Sequence, residues 1–185
     1  PVPLHLATAQ ACAGLVIDLA APQTSNGTVH GDGSCQHPSD PWLSRAGWSV
    51  AGPVAENRRI LAVQRVSGAQ TIGRAELSAL VWLTHCNGDF DVVTDCLYLQ
   101  QRFQLLRNRP MLHRWAEGIN GDLWRLVQCT HIVVTWIPSH MEEDCVVARG
   151  YLLSDWGGHS AADVVAGACA CALVSAAPGW LPAPA

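Results

Sequence analysis

Residues 60–95 read ILAVQRVSGAQTIGRAELSALVWLTHCNGDFDVVTD, and two changes of period inside this stretch decide the fold class. ILAVQRV is a strand-like run of apolar and β-branched residues. From Gly73 the spacing switches: Ala75, Leu77, Leu80, Val81 and Leu83 mark a helical face that ends at Cys86, with Asn87-Gly88 as its stop. FDVVTD (90–95) is then a short buried strand. Strand, helix and buried strand in succession predict an α/β layered domain.

Upstream of this stretch, TVHGDGSC (28–35) and GWSVAGPV (47–54) are two further strand-like runs, joined by the proline-rich loop HPSDPWLSRA (37–46). Residues 28–66 therefore read as a three-stranded meander. Residues 1–27 end in the turn-rich PQTSNG and read as a linker or the end of a preceding segment, with a short helix over Ala11–Ala20. Downstream, a helix is expected over Leu97–Arg107, interrupted by Pro110, and another over Glu117–Cys129. HIVVTWI (131–137) is a strand rich in β-branched residues. A long loop, Pro138–Gly158, then leads to a last helix from Ser160 to about Ala176. The order βββαβααβα implies a mixed sheet, its first three strands antiparallel and the later ones parallel. One domain over 28–177 with a tail at 178–185 is the organisation this predicts.

Composition narrows the class. The chain has 185 residues, 49% hydrophobic and 14% charged, which suits a packed domain and not a disordered one. A net charge of −4 gives no general attraction to polyanions. The basic side chains are arginines, however, and Arg102, Arg107, Arg109, Arg114 and Arg125 share one window of 24 residues. The eight cysteines include no CxxC pair, so free, buried thiols are expected in place of zinc ligands or disulfides. The start has no basic region followed by an apolar one, so an intracellular setting, nucleus or cytoplasm, is expected rather than secretion. The longest apolar run, Val164–Ala177, is too short for a membrane-spanning helix. A beginning at Pro1 and an end in PGWLPAPA look like a piece of something longer.

Four acids stand at element edges in this acid-poor chain: Asp32, Glu76, Asp95 and Asp163. Ligand sites in α/β sheets form where strand ends meet helix starts, and oxygen-only donor sets select hard cations such as Mg²⁺. Each acid also has an ordinary structural explanation. Asp32 and Asp95 suit strand-end turns, Glu76 a solvated helix start, and Asp163 the first turn of the last helix, where the dipole favours it. Taken together, their order and placement point to a shared cation and to phosphodiester chemistry.

DGS after an apolar run, RAEL opening the first helix, TD ending a buried strand, WIPSH after the last strand and AAD opening the last helix together resemble ribonuclease H. The resemblance runs from about Thr28 to Ala176. It implies the ribonuclease H-like five-stranded mixed sheet with helices on both faces. It also implies two Mg²⁺ ions, for which Mn²⁺ substitutes, held by Asp32, Glu76, Asp95 and Asp163. The implied activity is endonucleolytic hydrolysis of the RNA strand of an RNA–DNA hybrid, with His140 of WIPSH assisting proton transfer or product release. Ser34, Cys35, Thr71, Arg74 and Cys96 fall at its substrate-facing positions. The setting it suggests is a retroelement polyprotein, with a reverse transcriptase covalently joined upstream.

Departures from the family concern substrate. The two amides that commonly precede Arg-x-Glu are absent, Ile72-Gly73 standing there, so discrimination through the 2′-hydroxyl has lost its usual donors. Cys96 replaces the usual Ser, and His159 stands where Asn is usual, either as a poor cap for the last helix or as a neighbour of the metals. A domain that kept the fold without activity, and a related nuclease acting on DNA, are the alternatives.

Overall fold

In the computed structural model, which describes residues 16–17, 27–52, 59–108, 118–128 and 131–171, the meander is present. It consists of β2 (Gly27–Gln36), β3 (Arg45–Ala51) and β4 (Arg59–Arg65), paired antiparallel. Helix α1 (Ile72–Thr84) carries the chain over to β5 (Phe90–Thr94), which lies parallel to β2, and β6 (Ile132–Trp136) lies parallel to β5. The five expected strands thus form one mixed sheet. A sixth segment, β1 (Val16–Ile17), extends it by two residues parallel to β4, giving the order β1-β4-β3-β2-β5-β6. The other helices are α2 (Leu97–Asn108), α3 (Gly121–Trp124), α4 (Glu143–Ala148) and α5 (Leu153–Cys171).

Alternation along β3 sorts the helices onto two faces. Trp48 turns to one side and packs on Trp82 of α1, ring centroids 6.3 Å apart. Ser49 turns to the other, where its hydroxyl donates to the Ala162 carbonyl of α5 at 2.6 Å. Val50 belongs with the α1 side of the core and Ala51 with Ala162 and Val165 of α5. Helix α1 starts where the Thr71 hydroxyl accepts the Arg74 N–H at 3.2 Å, an N-cap contact worth about 1 kcal/mol. Its apolar face, including Leu77, Leu80 and Leu83, is fully buried. At roughly 1.5–3 kcal/mol per buried side chain, that face holds α1 to the sheet far more strongly than its cap.

Several expectations change. The helix expected over Ala11–Ala20 gives way, at Val16–Ile17, to a strand; the rest of that stretch lies outside the described residues. The segment expected to precede the domain therefore contributes to its sheet, and Gly27 already belongs to β2. The helix expected over Glu117–Cys129 is one turn, Gly121–Trp124, because Asn120 sits in the left-handed region (φ 60°) and ends any helix reaching it. The loop expected over Pro138–Gly158 holds α4 and the first turns of α5.

Gly157 and Gly158, each costing about 1 kcal/mol inside a helix, hid that early start from the sequence pattern. The sheet explains Gly158: a Cβ there would lie 2.3 Å from the His30 ring of β2, so only glycine lets α5 pass. Six cysteines among the described residues are free thiols; Cys145 and Cys171 are exposed and not buried as expected, while Cys12 and Cys129 lie outside the described residues. Among the described residues no helix is long and apolar enough to cross a membrane.

Candidate active site

Asp32 projects from the middle of β2 toward α5, because it pairs with Ser49, and residues opposite one another in an antiparallel pair share a face. Glu76 reaches the same place from α1. It passes at Gly33, where any side chain would collide with the helix: a Cβ there would lie 2.4 Å from the Glu76 nitrogen. Asp95 follows the last residue of β5, and its carbonyl accepts the Trp136 indole N–H at 2.8 Å, which ties the turn to β6. From α5 come two residues one turn apart, His159 and Asp163. Asp163 lies deep in that helix and not in its first turn.

The contacts are close. His159 Nε2 is 3.3 Å from Asp95 Oδ2 and 4.0 Å from Asp32 Oδ1. One ligand atom from each of Asp32, Asp95 and His159 lies within 4.8 Å of the others, the one such group among the described residues. Asp32 is 4% exposed and His159 7%. Glu76 is buried beside them, with the Thr94 hydroxyl donating to it at 3.5 Å. Asp163 is half-buried at the rim.

Crowding sets the protonation of this group. Burial pushes the Asp32 carboxyl up to about 7, against the pull of His159, and the charges of Asp95 and Asp163 add to the rise. Burial, then the Asp32 and Asp95 charges, holds Glu76 well above the usual carboxylate range. Asp95 goes the other way: burial opposes its ionisation, but the hydrogen bond and charge of His159 win and lower it, and His140 helps. His159 is raised in turn, burial notwithstanding, by its bond to Asp95 and the surrounding carboxylates. The shifts thus run in opposite directions within one cluster, up for Asp32, Glu76 and His159 and down for Asp95. Asp32 Oδ2 is buried without a hydrogen-bond partner. Carboxylates crowded together out of water and an orphaned buried oxygen are what a divalent cation relieves, so the residues present fit one.

The remaining sequence candidates fare differently. His140 is exposed in a bend at φ 51°, near enough to Asp95 for its charge to act there. The Arg74 guanidinium is engaged inside the protein. It grips both carboxylate oxygens of Asp122, one at 2.8 Å, and donates to the Ser67 carbonyl at 2.7 Å. Arg74 therefore fixes the α1–α3 contact. Cys35 Sγ lies 3.2 Å from the Ser44 hydroxyl and 3.4 Å from the Gln70 carbonyl, under the β2–β3 turn. Ser34 faces α5 near Gly167, and Thr71 is exposed at the cap of α1. The Cys96 thiol is pushed up to about 12 by burial and by Glu76, so it stays neutral. Of the arginine-rich window, Arg109 and Arg114 lie outside the described residues; Arg102 stacks on Tyr98 with its guanidinium carbon 5.0 Å from the ring centre.

His30 had no role in the sequence reading. It is buried beneath the site with both ring nitrogens unpartnered, and Asp155 Oδ1 is 3.6 Å from Nε2. That spacing suggests an ion pair. Burial, together with the His159 charge, lowers His30 to about 4 and keeps the ring neutral, and burial raises Asp155. We read a neutral imidazole, because no hydrogen bond repays the loss of water at either nitrogen.

The sequence profile of the RNase H family matches residues 24–166. The chain belongs to the RNase H family. Among curated proteins none matches this sequence. Among solved structures, the PFV RNase H domain superposes with a TM-score of 0.57 at 16% identity, over 80% of this chain and 95% of its own. A foamy viral protease-reverse transcriptase solved with dsDNA gives 0.46 at 15% identity, over 75% of this chain and 92% of its own. LC9-RNase H1, described as a type 1 RNase H with the type 2 active-site motif, gives 0.47 at 16% identity, over 80% of this chain and 72% of its own. At 16% identity the likeness to the PFV domain establishes the fold alone.

Proposed function

We propose that this RNase H domain is an endonuclease that hydrolyses the RNA strand of RNA–DNA hybrids with the help of two Mg²⁺ ions, Mn²⁺ being able to substitute. The observation that carries the proposal is that buried Asp32 and Glu76 and half-buried Asp95 and Asp163 come from four elements close enough for their charges to act on one another, in a chain of the RNase H family. Asp32, Glu76 and Asp95 would hold one cation, and Asp32 with Asp163 the other. Bound there, divalent cations lower the pKa of water and stabilise charge on a departing oxygen.

The chain's own residues prepare that chemistry. Burial excludes bulk water from Asp32 and Glu76, so their attraction for a cation would be little screened by solvent. Trp136 fixes the backbone that carries Asp95, and Ser49 fixes the α5 backbone at Ala162 beside Asp163. His140, exposed and near enough to Asp95 for its charge to act there, would carry a proton to or from the departing oxygen. Thr71, exposed at a helix N-terminus, is suited to a backbone phosphate.

Incubation with labelled RNA–DNA hybrid, duplex RNA and duplex DNA, with Mg²⁺ and then EDTA, tests this. Metal-dependent cleavage of the hybrid's RNA strand is expected. A folded protein that cuts none of the three substrates would falsify the enzyme reading. Cleavage of duplex DNA in preference to the hybrid would favour the DNA nuclease, the second reading kept open by Ile72-Gly73 in place of two amides. We extend the proposal to the setting: a domain covalently joined to reverse transcriptase in a retroelement polyprotein, inside the cell. The likeness to a viral RNase H domain supports it, and a flanking reading frame without polymerase motifs would count against it.

A further inference from the structure

We propose that His159 is itself a ligand of the active-site cation, making the centre a mixed oxygen–nitrogen site that favours Mn²⁺ over Mg²⁺. The inference rests on the active-site reading above and goes beyond the four carboxylates.

Geometry carries it. With ligand bonds of about 2.1–2.2 Å, two donors at right angles lie roughly 3 Å apart and two opposed donors roughly 4.3 Å apart. His159 Nε2 stands 3.3 Å from Asp95 Oδ2 and 4.0 Å from Asp32 Oδ1, inside that range for both. The ligand atoms of the three residues lie within 4.8 Å of one another, so one ion can touch all three with small side-chain adjustments.

A second, independent feature points to an occupant. Asp32 Oδ2, on a residue 4% exposed, has no hydrogen-bond partner, although buried carboxylate oxygens are rarely left so. Helix geometry makes the third ligand rigid: Ser49 pins the α5 backbone at Ala162, three residues on, and His159 is itself buried. In such a site Nε2 would offer its lone pair to the cation, any proton held there passing to solvent, and Asp95 would hold the same ion. Imidazole nitrogen suits first-row transition ions better than Mg²⁺, which prefers oxygen. The direction of metal preference follows.

Pulsed electron paramagnetic resonance of the wild-type protein loaded with Mn²⁺ alone, without nucleic acid, decides the matter. Modulation from a directly bonded imidazole ¹⁴N is expected, and it should vanish in His159→Asn. Titration of Mn²⁺ should show affinity falling about tenfold in that variant, with Mg²⁺ affinity nearly unchanged. Bound Mn²⁺ that shows only oxygen ligands in the wild type, and is lost in Asp32→Asn, overturns the His159 assignment and leaves the active-site reading standing. Mn²⁺ binding untouched by Asp32→Asn overturns both. The wild-type spectrum settles the ligand even where a variant does not fold.

Discussion

Asp32→Asn should make the metal-free protein more stable while abolishing its activity, and the size of the gain follows from the site. The Asp32 carboxyl has its ordinary pKa of 3.8 in the unfolded chain and about 7 in the folded one. Below pH 4 both states hold the proton and there is no penalty. Between 4 and 7 the unfolded chain releases it while the folded protein keeps it, so stability is lost as pH rises and is flat above 7. Each pH unit in that window is worth about 1.4 kcal/mol, so the full loss is about 4 kcal/mol. Asparagine of similar shape never ionises and escapes it. Repacking and the unpaired amide will consume part of the gain, leaving roughly 2–3 kcal/mol, or about 5–10 °C in Tm for a domain of this size.

Thermal melts of both proteins in EDTA at pH 5 and pH 8 check this. The variant should lead clearly at pH 8, and by less than half as much at pH 5. Adding Mg²⁺ should raise the wild type, by about 2.7 kcal/mol when the ion is at a hundred times its Kd, and not the variant. A wild type at least as stable as the variant at pH 8 without metal would refute the reasoning, since it would mean that Asp32 carries no penalty for its charge.

Two further outcomes follow from the packing and the loop. Gly158→Ala should lower Tm, because a Cβ 2.3 Å from the His30 ring brings overpacking of about 1–3 kcal/mol that outweighs the helix propensity gained; Gly73→Ala, with nothing within 4 Å, should raise Tm slightly, and melts in the opposite order would reject the close-approach account. His140→Ala should leave the melt unchanged and slow single-turnover cleavage about tenfold or more without stopping it, whereas an unaltered rate would return His140 to an ordinary place in an exposed bend.

Much of this was legible in the chain itself. The βαβ stretch over residues 60–95 announced its elements through period alone, since burial on one helix face and between two layers leaves different spacings of apolar residues. The three-stranded meander and the mixed sheet were readable for the same reason, the helices on both faces only through the family resemblance; of the four acids, Asp32 and Asp163 proved to lie inside their elements and not at the edges expected. Local pattern failed where a distant partner overrode it. Gly157-Gly158 reads as a loop, yet α5 runs through both, and at Gly158 glycine is required because His30 occupies the space a side chain would need. Val16–Ile17 has no strand signal of its own length, and becomes one by pairing with Arg59–Ile60.

The roles of individual polar residues were the least legible. Arg74 looked available to substrate, and only the fold shows its guanidinium closed on Asp122 and Ser67. His159 could be either a cap or a neighbour of the acids from its position in the sequence. The fold decides for the acids, because α5 begins two turns earlier than its glycines suggest. Sequence by itself determined the five main strands, the helix over Ile72–Thr84 and which carboxylates exist, since periodicity and composition are local properties. Tertiary structure alone decided which groups meet, and with that the protons they share, because desolvation and charge repulsion depend on distances the chain does not encode locally.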